Sequence, residues 1–540
     1  MSGSAHPTSA HQTSQHPRSP VRDSVAVRLL AEQAFSRAAG APLIEGNAVE
    51  LLIDARVNFD EWLAAIRAAQ SVVLLENYIF RDDETGREFL DALRERAGAG
   101  VRVYVIRDWL GCLGQSRLSF WRPLIDAGGE VRTYNPPRFT SPFGWFSRDH
   151  RKLLVCDSRV GFLGGICVSG SWLGNPQKHI DPWRDTGVAV RGPALRDLAA
   201  SFADTWSTLG EALPDDALAA ATNYLTAGQV DLRVVATVPN TAGLYRLDQL
   251  IAAMARRSLW ITDAYFVGVA PYVQALSAAA RDGVDVRLLV PGTSDVPAVA
   301  AISRAGYRPL LEAGIRVFEW NGSMLHAKTA VADSRWARVG SSNLNLASWI
   351  GNCELDVAIE DENFARGMEA QYEIDLGNST EIVLKLPRRW RRKNIDEAAP
   401  QSRNAAGAAD AGTSQASAAS ASNPRERTVQ SDAPSAGSGA SAAQPARAGP
   451  PYPRARGGSS GRAAAGALRL ANTVGAAISN RRVLGQTESG PLMIAGFLLI
   501  ACSAVGFWWP RVIAWPLALL ALWIGTSLVV RYFGRQARGK

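Results

Sequence analysis

The chain repeats itself once, and that constrains its fold more than any other feature. The blocks AIRAAQSVVLLENYIF, GVRVYVIRD, RPLIDAGGEVRTY, DHRKLLVCD and GFLGG recur in the same order as LIAAMARRSLWITDAYF, GVDVRLLVPG, RPLLEAGIRVFEW, LHAKTAVAD and ARVGSSN. Pro123 and Pro309 are 186 residues apart, whereas His150 and His326 are 176 apart, so the first copy carries about ten extra residues (NPPRFTSPFGWF) before its histidine. A period this long excludes a solenoid. Strand-like apolar runs alternate with helical patterns throughout, which predicts an α/β fold. The expected architecture is two similar halves, 24–212 and 213–386, each a mixed sheet flanked by helices.

Each copy carries His-x-Lys-x4-Asp, at His150, Lys152 and Asp157 and again at His326, Lys328 and Asp333, and these six are the catalytic candidates. On a strand, residues i and i+2 share a face, so each histidine projects beside its lysine. Leu153–Cys156 and Thr329–Ala332 are apolar and β-prone, as a buried strand requires. An imidazole serves as nucleophile or proton donor near neutral pH, and an ammonium holds a phosphoryl group electrostatically. Two copies predict one site in which one histidine attacks phosphorus while the other protonates the leaving alcohol. The lysines neutralise the charge that develops, so neither metal nor cofactor is expected. Of the six histidines, His6, His11 and His16 lie in the N-terminal tail and His179 has no repeat partner. His150 and His326 alone occupy equivalent positions.

The repeat nominates further residues. WRDTGVAV (183–190) aligns with NCELDVAI (352–359), pairing Asp185 with Glu354. A carboxylate on the far ring nitrogen fixes the tautomer and stabilises an imidazolium, so these two are expected to orient the histidines. Small residues follow each motif strand, at Gly164–Gly165 and at Gly340, Ser341, Ser342 and Asn343. They let backbone amides approach phosphate, with Ser341 and Asn343 as candidate ligands.

Charge separates the folded part from the rest. Residues 387–490 carry 15 Lys and Arg against 6 Asp and Glu, and 491–540 carry five basic residues and no acid, so the first 386 residues hold a net −6 of the overall +8. A mildly acidic catalytic part argues against nucleic acid as partner, and a basic tail suits an anionic membrane surface. Residues 1–23 have the composition of a disordered tail without a secretory signal's apolar core. Residues 387–486, rich in Ala, Ser, Gly, Pro and Arg, are expected to be a disordered basic linker of about 55 Å r.m.s. span. The uncharged runs 491–509 and 512–530 are each long enough to cross about 28 Å as a helix, which predicts a transmembrane hairpin over 487–540. Arginines on its outer flanks place both ends, and the catalytic part, on the cytoplasmic side of the plasma membrane. The five cysteines show no metal-ligand spacing and fit a reducing compartment.

On HRKLLVCD, the following GG, PWRDTGVAVRGPA, HAKTAVAD, GSSNLN and Asn352-x-Glu354, the chain resembles the phospholipase D superfamily over residues 43–386, and within it the bacterial cardiolipin synthases. The resemblance implies transfer of a phosphatidyl group between two phosphatidylglycerol molecules through a phosphatidyl-histidine, releasing glycerol. It implies Lys152, Lys328 and Asn343 as phosphate ligands, more often makes the first-motif histidine the nucleophile, and gives Asp157 and Asp333 strand ends and the contact between halves. Cys167 departs from it, standing where the first copy would have Asn. The C-terminal hairpin is a variation on how these enzymes are anchored. A phospholipase D that uses water would carry the same residues; a nuclease or a catalytically silent scaffold fits the acidic catalytic part and the paired motifs less well.

Overall fold

The computed structural model describes residues 20–137, 146–215, 217 and 225–384, with isolated positions 515, 519, 522, 523 and 526. The expected linker, nearly all of the expected hairpin and residues 1–19 lie outside the described residues. Among the described residues no helix is long and apolar enough to cross a membrane.

The first copy supplies strands β1 (Ile44–Ile53), β2 (Val72–Asn77), β3 (Arg102–Asp108), β4 (Glu130–Tyr134), β5 (Lys152–Cys156), β6 (Val160–Gly164) and β7 (Thr186–Arg191). The second supplies β8 (Val230–Thr237), β9 (Ser258–Thr262), β10 (Asp285–Pro291), β11 (Arg316–Trp320), β12 (Thr329–Ala332), β13 (Trp336–Gly340) and β14 (Glu354–Glu360), with β15 (Ser379–Ile382) added at its outer edge. The described strands form one sheet in the order β15-β11-β10-β9-β12-β13-β14-β8-β1-β7-β6-β5-β2-β3-β4. Outward from the β8–β1 seam the two sides carry equivalent strands in the same order. Instead of two separate sheets packed together, the halves share one sheet, because antiparallel pairing of β1 with β8 satisfies two edges that would otherwise present unpaired N–H and C=O groups. β2, β3 and β4 run parallel, as do β9, β10 and β11, and their C-terminal ends meet the N-terminal ends of the antiparallel motif strands β5 and β12. Each motif therefore emerges where the parallel strands of its own half end, and the bridges from Asp149 to Cys353 and from Arg184 to Leu325 join each motif segment to the other half.

Helices cover both faces. α1 (Pro20–Ala39), which begins within the stretch read as tail, lies against the second half: Arg246 Nε donates to Ala38 O at 3.1 Å, and Ala39 joins that half's outer core. α2 (Asp54–Ala68) and α3 (Glu84–Gly98) cover the first half, burying Phe59, Trp62, Phe89 and Leu93. On the opposite face α4 (Leu195–Leu209) and α5 (Glu362–Gly377) enclose a core common to both halves, containing Phe202, Trp206, Val188, Leu355, Met368 and Tyr372.

The motif strands are fully buried. Each turns into the next strand through two consecutive left-handed residues, Asp157 (φ 51°) and Ser158 (φ 52°), then Asp333 (φ 53°) and Ser334 (φ 56°). This is the primed hairpin turn that matches strand twist, and aspartate tolerates its backbone.

Candidate active site

Each histidine sits just before its strand, on a segment that bridges to the other half. His150 N–H donates to Cys353 O at 2.9 Å, and His326 N–H donates to Arg184 O at 2.7 Å. The segment following each bridge partner carries the carboxylate for that histidine. His150 Nδ1 lies 2.9 Å from Glu354 Oε2, and His326 Nδ1 lies 2.8 Å from Asp185 Oδ2. The first half's carboxylate thus serves the second half's histidine, and the reverse.

The carboxylates are held differently. Asp185 Oδ2 also accepts from Trp172 Nε1 at 2.8 Å, and a side chain at Gly165 would collide with the Asp185 carboxylate, so glycine is required there. Glu354 accepts from Ser341 Oγ at 2.6 Å and from Asn352 Nδ2 at 3.0 Å. Ser341 Oγ in turn accepts from Leu355 N–H at 3.0 Å. This corrects the expectation for Ser341: its hydroxyl is committed to placing Glu354 and is not presented to a phosphate.

Lys152 Nζ donates to His150 O at 2.5 Å, and Lys328 Nζ donates to His326 O while lying 2.9 Å from His326 Nδ1. Tyr78 meets the His150 ring edge-on at 4.8 Å, and Trp172, Trp183 and Tyr265 surround His326 at 5.2, 5.7 and 5.7 Å between centroids. Sequence reasoning missed this aromatic wall. The tyrosines that follow β2 and β9, in ENYIF and TDAYF, were the available signal. Asn343 is buried near the site with its Oδ1 unpartnered. His179 is exposed in a left-handed turn and takes no part.

Asp157 and Asp333, grouped with the catalytic residues on sequence grounds, do not reach the site. Asp157 is about 16 Å from Lys152 along the strand. Its carboxylate accepts from the backbone N–H groups of Gln70, Ser71 and Val72 at 2.7 to 2.9 Å, and Asp333 does the same for Arg256, Arg257 and Ser258. Each therefore pins the start of the neighbouring strand within its own half and makes none of these bonds across the halves.

Burial depresses both imidazoles. His150 is lowered from its ordinary value, with the Lys152 charge adding to burial and Glu354 opposing it. His326 falls to about 4, through burial and then the Lys328 charge. Burial would raise the two carboxyls, but the bonds and charges of their partners outweigh it: Asp185 is held at about 2 and Glu354 below its usual range. Lys328 is pushed down to about 8, chiefly by burial. At neutral pH the site holds two neutral imidazoles donating Nδ1–H to two carboxylates, leaving each Nε2 lone pair available. No group of three or more His, Cys, Asp and Glu suited to a metal occurs among the described residues.

Comparison with known proteins places these features in context. Residues 62–174 and 248–376 match the family described as cardiolipin synthase, PLD-like domain. The chain is 34% identical over 369 residues to cardiolipin synthase A of Pseudomonas aeruginosa, covering 67% of this chain and 73% of that protein. It is 31% identical over 351 residues to cardiolipin synthase of Alkalihalophilus pseudofirmus, covering 64% and 69% respectively. Among solved structures, phosphatidylserine synthase of Haemophilus influenzae Rd KW20 aligns over 68% of this chain and 96% of that one, at 16% identity and a TM-score of 0.49.

Proposed function

This chain belongs to the cardiolipin synthase family of PLD-like proteins, and we propose that it transfers a phosphatidyl group from one phosphatidylglycerol to another at the bacterial plasma membrane, releasing glycerol. The observation that carries the reading is the pair of histidines, each with a carboxylate from the opposite half and a lysine beside it.

Charge supports this division of labour. Two ammonium groups, two carboxylates and two neutral imidazoles sum to zero, so a bound phosphodiester leaves one negative charge. A proton on one imidazole balances it, and that imidazolium is the acid the leaving group needs. The other imidazole attacks phosphorus through Nε2. A P–N bond forms, the P–O bond to glycerol breaks, and the glycerol oxygen takes the proton. The hydroxyl of a second phosphatidylglycerol then gives its proton to the same acid–base histidine and attacks phosphorus. The P–N bond breaks and cardiolipin leaves. Lys152, Lys328 and Asn343 hold the phosphoryl oxygens.

Membrane attachment rests on sequence. The uncharged runs 491–509 and 512–530, the flanking arginines and the PRRWRRK run at 387–393 support a hairpin anchor and a cytoplasmic catalytic part facing anionic headgroups.

The test is lipid mass spectrometry after incubating purified full-length protein with phosphatidylglycerol, beside His150→Ala and His326→Ala. Cardiolipin and glycerol from the wild type alone support the reading. Phosphatidic acid without cardiolipin replaces it with a hydrolase, and turnover that survives both substitutions sinks it.

A further inference from the structure

The two halves differ at one pair of positions beside the lysines, and the difference is reciprocal. Asp263 and Asn343 in the second half correspond to Asn77 and Cys167 in the first. In the second half Asp263 accepts two backbone N–H groups, Tyr265 at 2.9 Å and Leu344 at 2.7 Å. That leaves the Asn343 side chain uncommitted, its Oδ1 unpartnered. In the first half the equivalent N–H groups are divided. Asn77 Oδ1 takes Val168 N–H at 3.4 Å, and the Ile79 N–H acts on the Cys167 thiol, favouring its thiolate. The Val168 bond fixes which end of the Asn77 amide is oxygen, since the reverse orientation would set two donors against each other. Its NH2 end is then buried without a partner.

Asn77 also stands in the right place. It is the direct register partner of Lys152 in the antiparallel β2–β5 pair, so the two side chains share a face with Cβ atoms about 4.5–5.5 Å apart. Asp263, at the equivalent position, feels the Lys328 charge, and Lys328 feels that of Asp263. Asn77 is 1% exposed, no more enclosed than Lys152 at 1% and Lys328 at 0%, so its burial is that of the phosphoryl-binding lysines themselves.

We propose that the Asn77 side-chain NH2 is a phosphoryl-oxygen ligand of the first half, supplying from β2 the amide donor that Asn343 supplies after β13 in the second. The exchange leaves each half one uncommitted amide beside its lysine, with an acceptor for the N–H of Val168 or Leu344 supplied from β2 or from the residue after β9. It accounts for the tolerance of Cys167 at a position where the repeat has asparagine.

This rests on the phosphatidyl-transfer reading, and the experiment separates the two. Asn77→Asp keeps shape and the acceptor for Val168 N–H but removes the donor, as at Asp263. Turnover of phosphatidylglycerol is expected to fall about 10²-fold, the usual cost of one donor to a developing anion, with the melting temperature retained. Adding Cys167→Asn rebuilds the second-half pair in the first half, and turnover is expected to return to within about tenfold of wild type, as for coupled neighbours. Inhibition by orthovanadate, a mimic of pentacoordinate phosphorus, weakens in Asn77→Asp and gives a reading even if the double variant does not fold. Wild-type turnover in Asn77→Asp, an unchanged vanadate inhibition constant, or a folded double variant as slow as the single one overturns the inference. Wild-type protein that makes no cardiolipin fails the functional reading instead.

Discussion

Lys328 offers a prediction that can be worked through to numbers. Its side chain is fully buried, and burial, with the Lys152 charge added and Asp185 opposing, pushes its ammonium down to about 8. A cation is charged below its pKa, so Lys328 is about nine-tenths protonated at pH 7, about half at pH 8 and about one-tenth at pH 9. If a charged Lys328 holds the phosphoryl group, loss of its charge contributes a factor of about ten to the fall of kcat/KM between pH 7 and pH 9. The lipid phosphodiester keeps its single charge over this range and adds no limb. The proton that one imidazole takes up with the lipid adds its own fall of about tenfold per pH unit, and this share is common to the wild type and Lys328→Arg. Lys328→Arg keeps a positive charge at every pH in the window. The bulkier guanidinium lowers the rate in so enclosed a position, but the lysine's factor of about ten disappears, and the readout is the ratio of the two profiles across pH. Initial rates of cardiolipin formation in mixed micelles from pH 6 to 10 provide the assay. A wild-type profile flat to pH 10, or an alkaline limb unchanged in Lys328→Arg, refutes the reasoning.

Asp185→Asn and Glu354→Gln are each expected to lower kcat by about 10²–10⁴-fold, because an amide cannot hold Nδ1–H as a carboxylate does; steady-state kinetics beside thermal melting checks that the fold survives. Asp157→Ala and Asp333→Ala should do the opposite, costing about 1–2 kcal/mol through lost backbone acceptors, comparable to loss of a helix cap, and leaving turnover per folded molecule unchanged. Arg338 is buried 3.5 Å from Asp248 and 3.2 Å from Asp356, yet burial raises both carboxyls to about 6. The folded chain therefore holds protons that the unfolded chain releases between about pH 4 and pH 6, and this contribution to stability declines as pH rises through that window. Denaturant titrations across it should show a smaller decline in Asp248→Asn; an equal or steeper decline contradicts the assignment.

What the sequence revealed was set by what the repeat can report. A repeat identifies equivalent positions, so His150 with His326, Lys152 with Lys328 and Asp185 with Glu354 were all legible. It carries no information about which half's carboxylate approaches which histidine, because that follows from how the halves join. The seam between β1 and β8 and the bridges from Asp149 to Cys353 and from Arg184 to Leu325 decide it. Asp157 and Asp333 misled for a related reason: a recurring residue beside catalytic ones reads as catalytic, although recurrence reflects the same turn built twice. Ser341 was read as a phosphate ligand because its neighbour Glu354 lies 13 residues away and its bond to that carboxylate has no sequence signature. The aromatic wall was hidden because Tyr78 and Tyr265 are not equivalent in the repeat; each reaches its histidine from a different offset.

The crossed pairing also has a consequence for how the protein comes into being. A histidine and its carboxylate are separated by 204 residues in one pair and 141 in the other. During synthesis, neither pair can close until the ribosome has passed His326, and the first histidine waits until Glu354 has emerged. A chain released early, even one holding the entire first half, carries His150 without its carboxylate and Asp185 without its histidine. Lipid chemistry is thus withheld from every product that stops short of Glu354, and activity arrives only when nearly all of the catalytic part has been made.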